Sequence, residues 1–266
     1  KMGAPDPRDG KRVITTTVDL EKGRQFWSFQ PVEKPSAPRA KDPAWSRSEV
    51  DRFIAQRLKQ EGLKPVDVAT PKTLVRRLYF SLVGLPPSLE ELAHWTEKLN
   101  GAKRDAALGE LVDALLDSPR YGERWGRHWL DVARYAESNG NSRNTLFPHA
   151  WRYRDYVIDA FNADTPYDRF LVQQVAGDLL PHESAEQHNN HLVATGFLAL
   201  ASKPVIKGKV GGFIPDIVAD QIGVISRAIL GLTVACARCH DHKFDPIPTT
   251  DYYGLAGIFA SSQTLY

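Results

Sequence analysis

Beyond residue 45, apolar residues recur at intervals of three and four, and nowhere do they alternate with polar ones long enough to build a sheet. That period predicts helices. Ser46, with Glu49 three positions on, reads as a capping box, and the helix it opens carries Val50, Phe53, Ile54 and Leu58 on one stripe before Gly62 ends it. Thr70-Pro71 supplies a cap and a first-turn proline for a second helix, lined by Leu74, Leu78 and Leu82 and closed by Gly84. Pro86-Pro87-Ser88 turns and caps a helix over 89–99, and another runs over 103–117 on Leu108, Leu111, Leu115 and Leu116. Residues 121–137 predict a strongly amphipathic helix rich in aromatics and arginine, broken by Asn139-Gly140-Asn141-Ser142 and a loop as far as Pro148. Helices over 150–162, 167–180, 186–200 and 216–230 follow, with a Gly- and Lys-containing loop over 202–215. The fold class is therefore all-α, a multi-helix domain.

Residues 1–45 lack this period and are rich in Pro, Lys and Arg, which predicts an extended N-terminal arm or linker anchored by Trp27, Phe29 and Trp45 ahead of a helical domain at 46–266. Composition changes the picture little. Of 266 residues 42% are apolar and 25% charged, ordinary values for a globular chain long enough to bury a substantial core. Net charge is 34 − 32 = +2, which gives no case for binding nucleic acid. No run of 18 apolar residues is present, so no membrane span is expected. Lys1-Met2-Gly3-Ala4-Pro5 lacks the apolar stretch of a signal peptide, and the chain stops without punctuation at Gln263-Thr264-Leu265-Tyr266; a fragment of a longer protein is expected.

Chemistry concentrates in one place. The chain's two cysteines fall in Cys236-Ala237-Arg238-Cys239-His240, a C-x-x-C-H sequence. That spacing suits covalent attachment of c-type haem: two thiols add to the two vinyl groups of the porphyrin, and the next residue offers its imidazole to the iron as proximal ligand. Two other readings of the cysteines stay open. Cys236, Cys239, His240 and His242 form a compact set of zinc ligands, although four ligands within seven residues crowd a tetrahedron. The pair also reads as a redox dithiol or disulfide, although the segment before it looks helical rather than a strand of a βαβ unit. Asp241, His242 and Asp245 are the candidates for orienting a ligating imidazole, against a solvated turn as the alternative. Methionine is the common sixth ligand of electron-transfer cytochromes, but the only methionine is Met2, so His128 and then His149 are the distal candidates. His128 shares a helical stripe with Tyr121, Trp125, Val132 and Tyr135, a stripe that suits either a porphyrin wall or a core histidine among tryptophans. His182, His188 and His191 fall among polar residues and are expected to face water. Arg124, Arg127, Arg134, Arg152 and Arg154 suit haem propionates or, for most of them, salt bridges to Glu123, Asp131, Glu137 and Asp155.

Several stretches together resemble one family: Trp27-Ser28-Phe29-Gln30-Pro31, Tyr121-Gly122-Glu123-Arg124-Trp125-Gly126-Arg127-His128-Trp129-Leu130-Asp131, Trp151-Arg152-Tyr153-Arg154-Asp155-Tyr156, Pro166-Tyr167-Asp168-Arg169-Phe170, Ala176-Gly177-Asp178-Leu179-Leu180-Pro181, and Cys236 through Pro246. They are similar to the domain of unknown function found in secreted planctomycete cytochrome-c-like multidomain proteins, where it lies between an N-terminal cytochrome c module and a second uncharacterised domain. Segment 205–219 is less typical of it. The resemblance implies export to the periplasm or beyond and agrees with haem c iron at Cys236, Cys239 and His240. It implies no reaction and no catalytic residue. The expectation is a haem domain for electron transfer or redox chemistry, with partners among the other domains of the same protein or separate redox proteins. The alternative is a non-haem scaffold or polysaccharide-binding module with zinc or a disulfide at the cysteines.

Overall fold

A computed structural model of the protein describes residues 18–39, 45–140, 144–201, 205–206, 209–210 and 214–262. Met2, both chain ends, residues 1–17 and 40–44 of the expected arm, and parts of the loops at 141–143 and 202–213 lie outside these. In order the described residues form α1 (Leu20–Arg24), a 3-10 turn (Trp27–Phe29), α2 (Glu49–Gln60), α3 (Pro71–Leu82), α4 (Leu89–Asn100), α5 (Arg104–Leu116), α6 (Pro119–Val132) and α7 (Ala150–Asn162). There follow α8 (Tyr167–Ala176), a 3-10 turn (Gly177–Leu179), α9 (Ala185–Ala194), α10 (Gly196–Ala199), α11 (Ile214–Ile225), a π-helical turn (Ser226–Leu230), a 3-10 segment (Val234–Arg238) and α12 (Thr249–Ala260). The fold is all-α, as the apolar period predicts. Among the described residues a two-residue antiparallel ladder, Val205–Ile206 with Lys209–Val210, interrupts the expected loop.

Helix starts follow the caps in the sequence. Ser88 Oγ accepts from the Glu91 N–H while the Glu91 carboxylate accepts from the Ser88 N–H, and Thr70 with Pro71 opens α3. At α2 the capping box is Ser48 with Asp51 rather than Ser46 with Glu49. Either serine matches the pattern; the helix begins at Glu49, which makes Ser48 the N-cap and puts Asp51 at the third helical position, where its carboxylate reaches back to the Ser48 N–H. Several helix ends differ from those the period predicts. The helix expected over 121–137 stops at Val132, because Arg134 takes a left-handed conformation (φ 58°). The helix expected over 186–200 breaks at Thr195, between α9 and α10, and that expected over 167–180 tightens into a 3-10 turn at Gly177.

The chain divides into two compact units, residues 27–114 and residues 1–26 with 115–266. In the first, α3 packs on α4 with Val75, Tyr79 and Leu99 buried, and Arg104 Nη2 donates to the Ala69 carbonyl (3.1 Å). In the second, one core gathers Trp129 and Leu130 of α6, Tyr153 and Val157 of α7, Phe170 of α8 and Phe197 of α10. Trp129 stacks on Phe197 (centroids 5.4 Å) and donates its indole N–H to the Tyr153 hydroxyl (2.9 Å), which in turn donates to Gln174 Oε1 (2.6 Å). Another core gathers Val218 and Ile222 of α11, Val234, Ala237, Ile247, and Tyr252 and Phe259 of α12. Leu198 and Ile225 pack against both cores. Arg134 ties the same neighbours together: its guanidinium donates to the Asp220 carboxylate on α11 and to the Leu200 carbonyl (2.7 Å) at the end of α10.

Helices α6 and α7 approach closely at Gly122, whose N–H donates to Asn162 Oδ1 (2.8 Å). A Cβ there would overlap the Ile158 carbonyl and stand 2.6 Å from Asn162 Oδ1. Gly122→Ala should therefore cost about 1–3 kcal/mol by forcing the helices apart, read as a lower midpoint in urea denaturation. Gly257→Ala in α12, where a Cβ meets nothing within 4 Å, should leave stability unchanged or raise it by about 1 kcal/mol through helix propensity.

Candidate functional site

The C-x-x-C-H sequence follows directly from the end of α11. That helix loosens into the π-helical turn Ser226–Leu230, then reverses at Gly231, which adopts the left-handed conformation (φ 66°) at the helix end. The Leu232 N–H closes the reversal on the Ser226 carbonyl (3.0 Å). The chain then enters the 3-10 segment Val234–Arg238. In a 3-10 helix residues three apart lie above one another. Val234 and Ala237 form one such pair and are buried in the core with α11 and α12. Cys236 in the segment and Cys239, the residue that ends it, are likewise three apart, and both are free and exposed. The segment is fixed at its end by Arg238: its guanidinium donates to Asp216 of α11 (2.9 Å), and its carbonyl accepts from the hydroxyl of Tyr253 on α12 (3.2 Å). Tyr253 is 58% exposed, as is 75% of Phe244, over whose ring Lys243 Nζ stands at 5.0 Å.

The two histidines of this stretch are held in opposite ways. His240 is exposed, and its Nδ1 lies 2.7 Å from the Asp241 carbonyl. A carbonyl only accepts, so the proton is on Nδ1 and the lone pair of Nε2 is left for a ligand; this is the orientation that metal-ligating imidazoles adopt. His242 is 5% exposed and turned inward. Its Nδ1 accepts from the backbone N–H of Asp245 (2.8 Å) and of Phe244 (3.3 Å), so its proton is on Nε2, which donates to Thr233 Oγ1 (2.9 Å). The Asp245 carboxylate lies 3.4 Å from that same Nδ1, but the two N–H donors already occupy it. His242 therefore has no nitrogen to offer a metal and acts as the clasp of the loop 233–245.

Nor is the carboxylate of Asp241 the group that orients His240; its main-chain carbonyl is. The carboxylate instead accepts from both the N–H (2.9 Å) and the hydroxyl (3.0 Å) of Thr249, capping α12 from eight residues upstream. These hydrogen bonds hold the Asp241 carboxyl below the usual carboxylate range.

The structure does not gather the distal candidates at the motif. His128 lies on the outward side of α6, exposed, with its ring edge-on to Trp125 (centroids 5.3 Å), while the buried side of α6 belongs to the other core. It is neither a core histidine nor enclosed among tryptophans; the core indole is Trp129, one residue on. His149 is an exposed N-cap of α7 without a capping hydrogen bond. Of the arginines, Arg127 pairs with Asp131, Arg154 with Glu137 and Asp155, and Arg134 with Asp220. His182 is exposed and His188 half-buried, but His191 is buried, contrary to its polar sequence surroundings.

Among the described residues no group of three or more His, Cys, Asp or Glu side chains is placed to hold a metal ion. The crowded zinc set of Cys236, Cys239, His240 and His242 is not preformed, since His242 faces inward. The donor set does fit haem: two exposed thiols three residues apart and an adjacent imidazole with Nε2 free need not converge on a point, because in haem c the thiols bond to the porphyrin rim and only the imidazole reaches the iron.

A family model matches residues 49–264, under the description PSCyt2, a protein of unknown function (DUF1549). No curated protein and no solved structure matches the chain.

Two variants separate the roles of this loop. Thr233→Val leaves the buried Nε2–H of His242 without an acceptor and should cost about 1–3 kcal/mol, measured by chemical denaturation. Asp241 stabilises α12 in its ionised form and is held lower in the folded protein than in the unfolded chain. That contribution is present above about pH 5 and lost as the pH falls through the carboxylate range. The gap in denaturation midpoint between the wild type and Asp241→Asn should therefore be widest at neutral pH and close towards pH 3.

Proposed function

We propose, for a chain that belongs to the PSCyt2 family of proteins of unknown function, that Cys236 and Cys239 attach haem c covalently, that His240 is its proximal ligand, and that the domain relays electrons. The observation that carries this reading is the division of the segment 234–240. Val234 and Ala237 are buried in the core, while both thiols and His240, with its Nε2 free, are exposed. Haem c, when bound, supplies a one-electron iron couple. The chain's own residues supply position. Asp216 and Tyr253 hold Arg238 between the two cysteines, the Asp241 carbonyl fixes the tautomer and tilt of His240, and the His242 clasp keeps the loop closed beneath it. Export to the periplasm or beyond, a planctomycete cytochrome setting, and exchange with other modules of a longer protein belong to the same proposal, because covalent attachment through C-x-x-C-H takes place on exported chains.

The test is the protein made in the periplasm with a c-type maturation system, read by absorbance and by haem staining on a denaturing gel. A Soret band and a stain that survive denaturation are expected, and Cys236→Ala with Cys239→Ala should abolish the stained band. Folded, exported protein without a Soret band overturns the haem reading and leaves zinc or a disulfide at the two cysteines, which metal analysis and thiol titration separate.

A further inference from the structure

The other unusual group of titratable side chains lies away from the motif, where α9 meets the turn that precedes it. Helix α9 packs on α7, α8, α10 and the 3-10 turn Gly177–Leu179. The approach to the turn is tight enough that a Cβ on Gly177 would overlap the His191 carbonyl. The His191 side chain is 4% exposed, and its Nδ1 is buried without a hydrogen-bond partner. One turn earlier on the same helix, the His188 ring lies tilted against that of His182 from the loop before α9, with centroids 4.3 Å apart and planes at 36°. Two imidazoles in contact, and a third that is buried with an unsatisfied nitrogen, thus flank the place where α9 docks.

We propose that His182, His188 and His191 form an acid-sensitive latch, which holds α9 on the turn Gly177–Leu179 and on α8 at neutral pH and releases it when the imidazoles take up protons. The groups that act on His191 are Arg169 of α8, His182 of the preceding loop and His188 of α9 itself, each positive or able to become so. No carboxylate is among them. Helix α10 carries no titratable side chain, and the Asp178 side chain of the turn is exposed. Helix α7 presents the phenols of Tyr153 and Tyr156, which donate to Gln174 and Gln173 and are pushed well up by burial, so both stay neutral. Burial first, then these positive neighbours, push the His191 imidazole below its ordinary value. An undocked imidazole protonates near pH 6.5 and the docked one at lower pH. The undocked form therefore binds the proton first as the pH falls. Docking is fully present above about pH 6.5 and weakens by about tenfold for each unit below it, until the docked value is reached. The latch does not involve Cys236, Cys239 or His240 and stands apart from the haem reading.

Hydrogen–deuterium exchange with mass spectrometry on the whole chain, at pH 7.5 and 5.5 and corrected for intrinsic exchange, reads it directly. Peptides over 177–195 should lose protection at the lower pH, by up to about tenfold, while those over 150–162 hold theirs. His191→Leu should remove the difference. His182→Gln with His188→Gln, both outside the core, should lessen the loss by removing two of the positive neighbours of His191. Protection over 177–195 that does not change with pH overturns the latch, as does a loss that persists in His191→Leu. Should that variant not fold, the double glutamine variant decides, and an undiminished loss overturns the proposal.

Discussion

A three-residue period in the segment Val234–Arg238 governs what the candidate site can do. An α-helix would have set Cys236 and Cys239 some 60° apart around its axis; the tighter 3-10 winding lines them up. The same winding lines up Val234 and Ala237, and their burial against α11 and α12 gives the segment its orientation. Burying one pair and exposing the other are thus a single choice. Nothing specific to the thiols is needed to turn them outward; it follows from where the valine and the alanine go.

That orientation depends on elements distant in sequence. The core beneath the motif shares Leu198 and Ile225 with the core built on α6, α7 and α8. Arg134, forced into a left-handed conformation at the end of α6, reaches both Asp220 on α11 and the Leu200 carbonyl at the end of α10. The arginine and its aspartate are each mostly withdrawn from solvent, so removing either would strand a charge away from water, which is costly in a way that loss of a surface pair is not. The helix α6 that bears the most aromatic stretch of the sequence contributes to the site in this indirect way, by anchoring the floor of α11, and not by presenting His128.

What was legible in the sequence was what rests on local chemistry. Ser88 with Glu91, Thr70 with Pro71, and Gly62 and Gly84 at helix ends all use backbone groups within one turn, so they read the same in a string as in a fold. The C-x-x-C-H spacing is local in the same sense. What was not legible depends on which side of a helix meets a neighbour from far along the chain. The stripe Tyr121, Trp125 and His128 has the period of a buried face, but Gly122 and Gly126 lie on the side where α7 can come close, and that side won. His191 sits among Gln, Asn and His in sequence and is nevertheless buried, because the turn at Gly177 closes over it. Arg134 carries no sign of its left-handed conformation, and its carboxylate partner Asp220 lies 86 residues away.

The contrast between His240 and His242 carries the argument one step further. Two residues apart and of one type, they were equal candidates for a ligand set. The difference lies in the first atom each ring meets. A carbonyl beside Nδ1 of His240 takes a proton and leaves Nε2 with its lone pair; two N–H groups beside Nδ1 of His242 give protons and force Nε2 to donate to Thr233. One imidazole is thereby prepared to ligate and the other is spent on closing the loop that holds it. A zinc centre at this point would need His242 to give up three hydrogen bonds, whereas a haem on Cys236 and Cys239 would ask nothing of it. The loop as folded therefore favours a group that needs one imidazole over one that needs two.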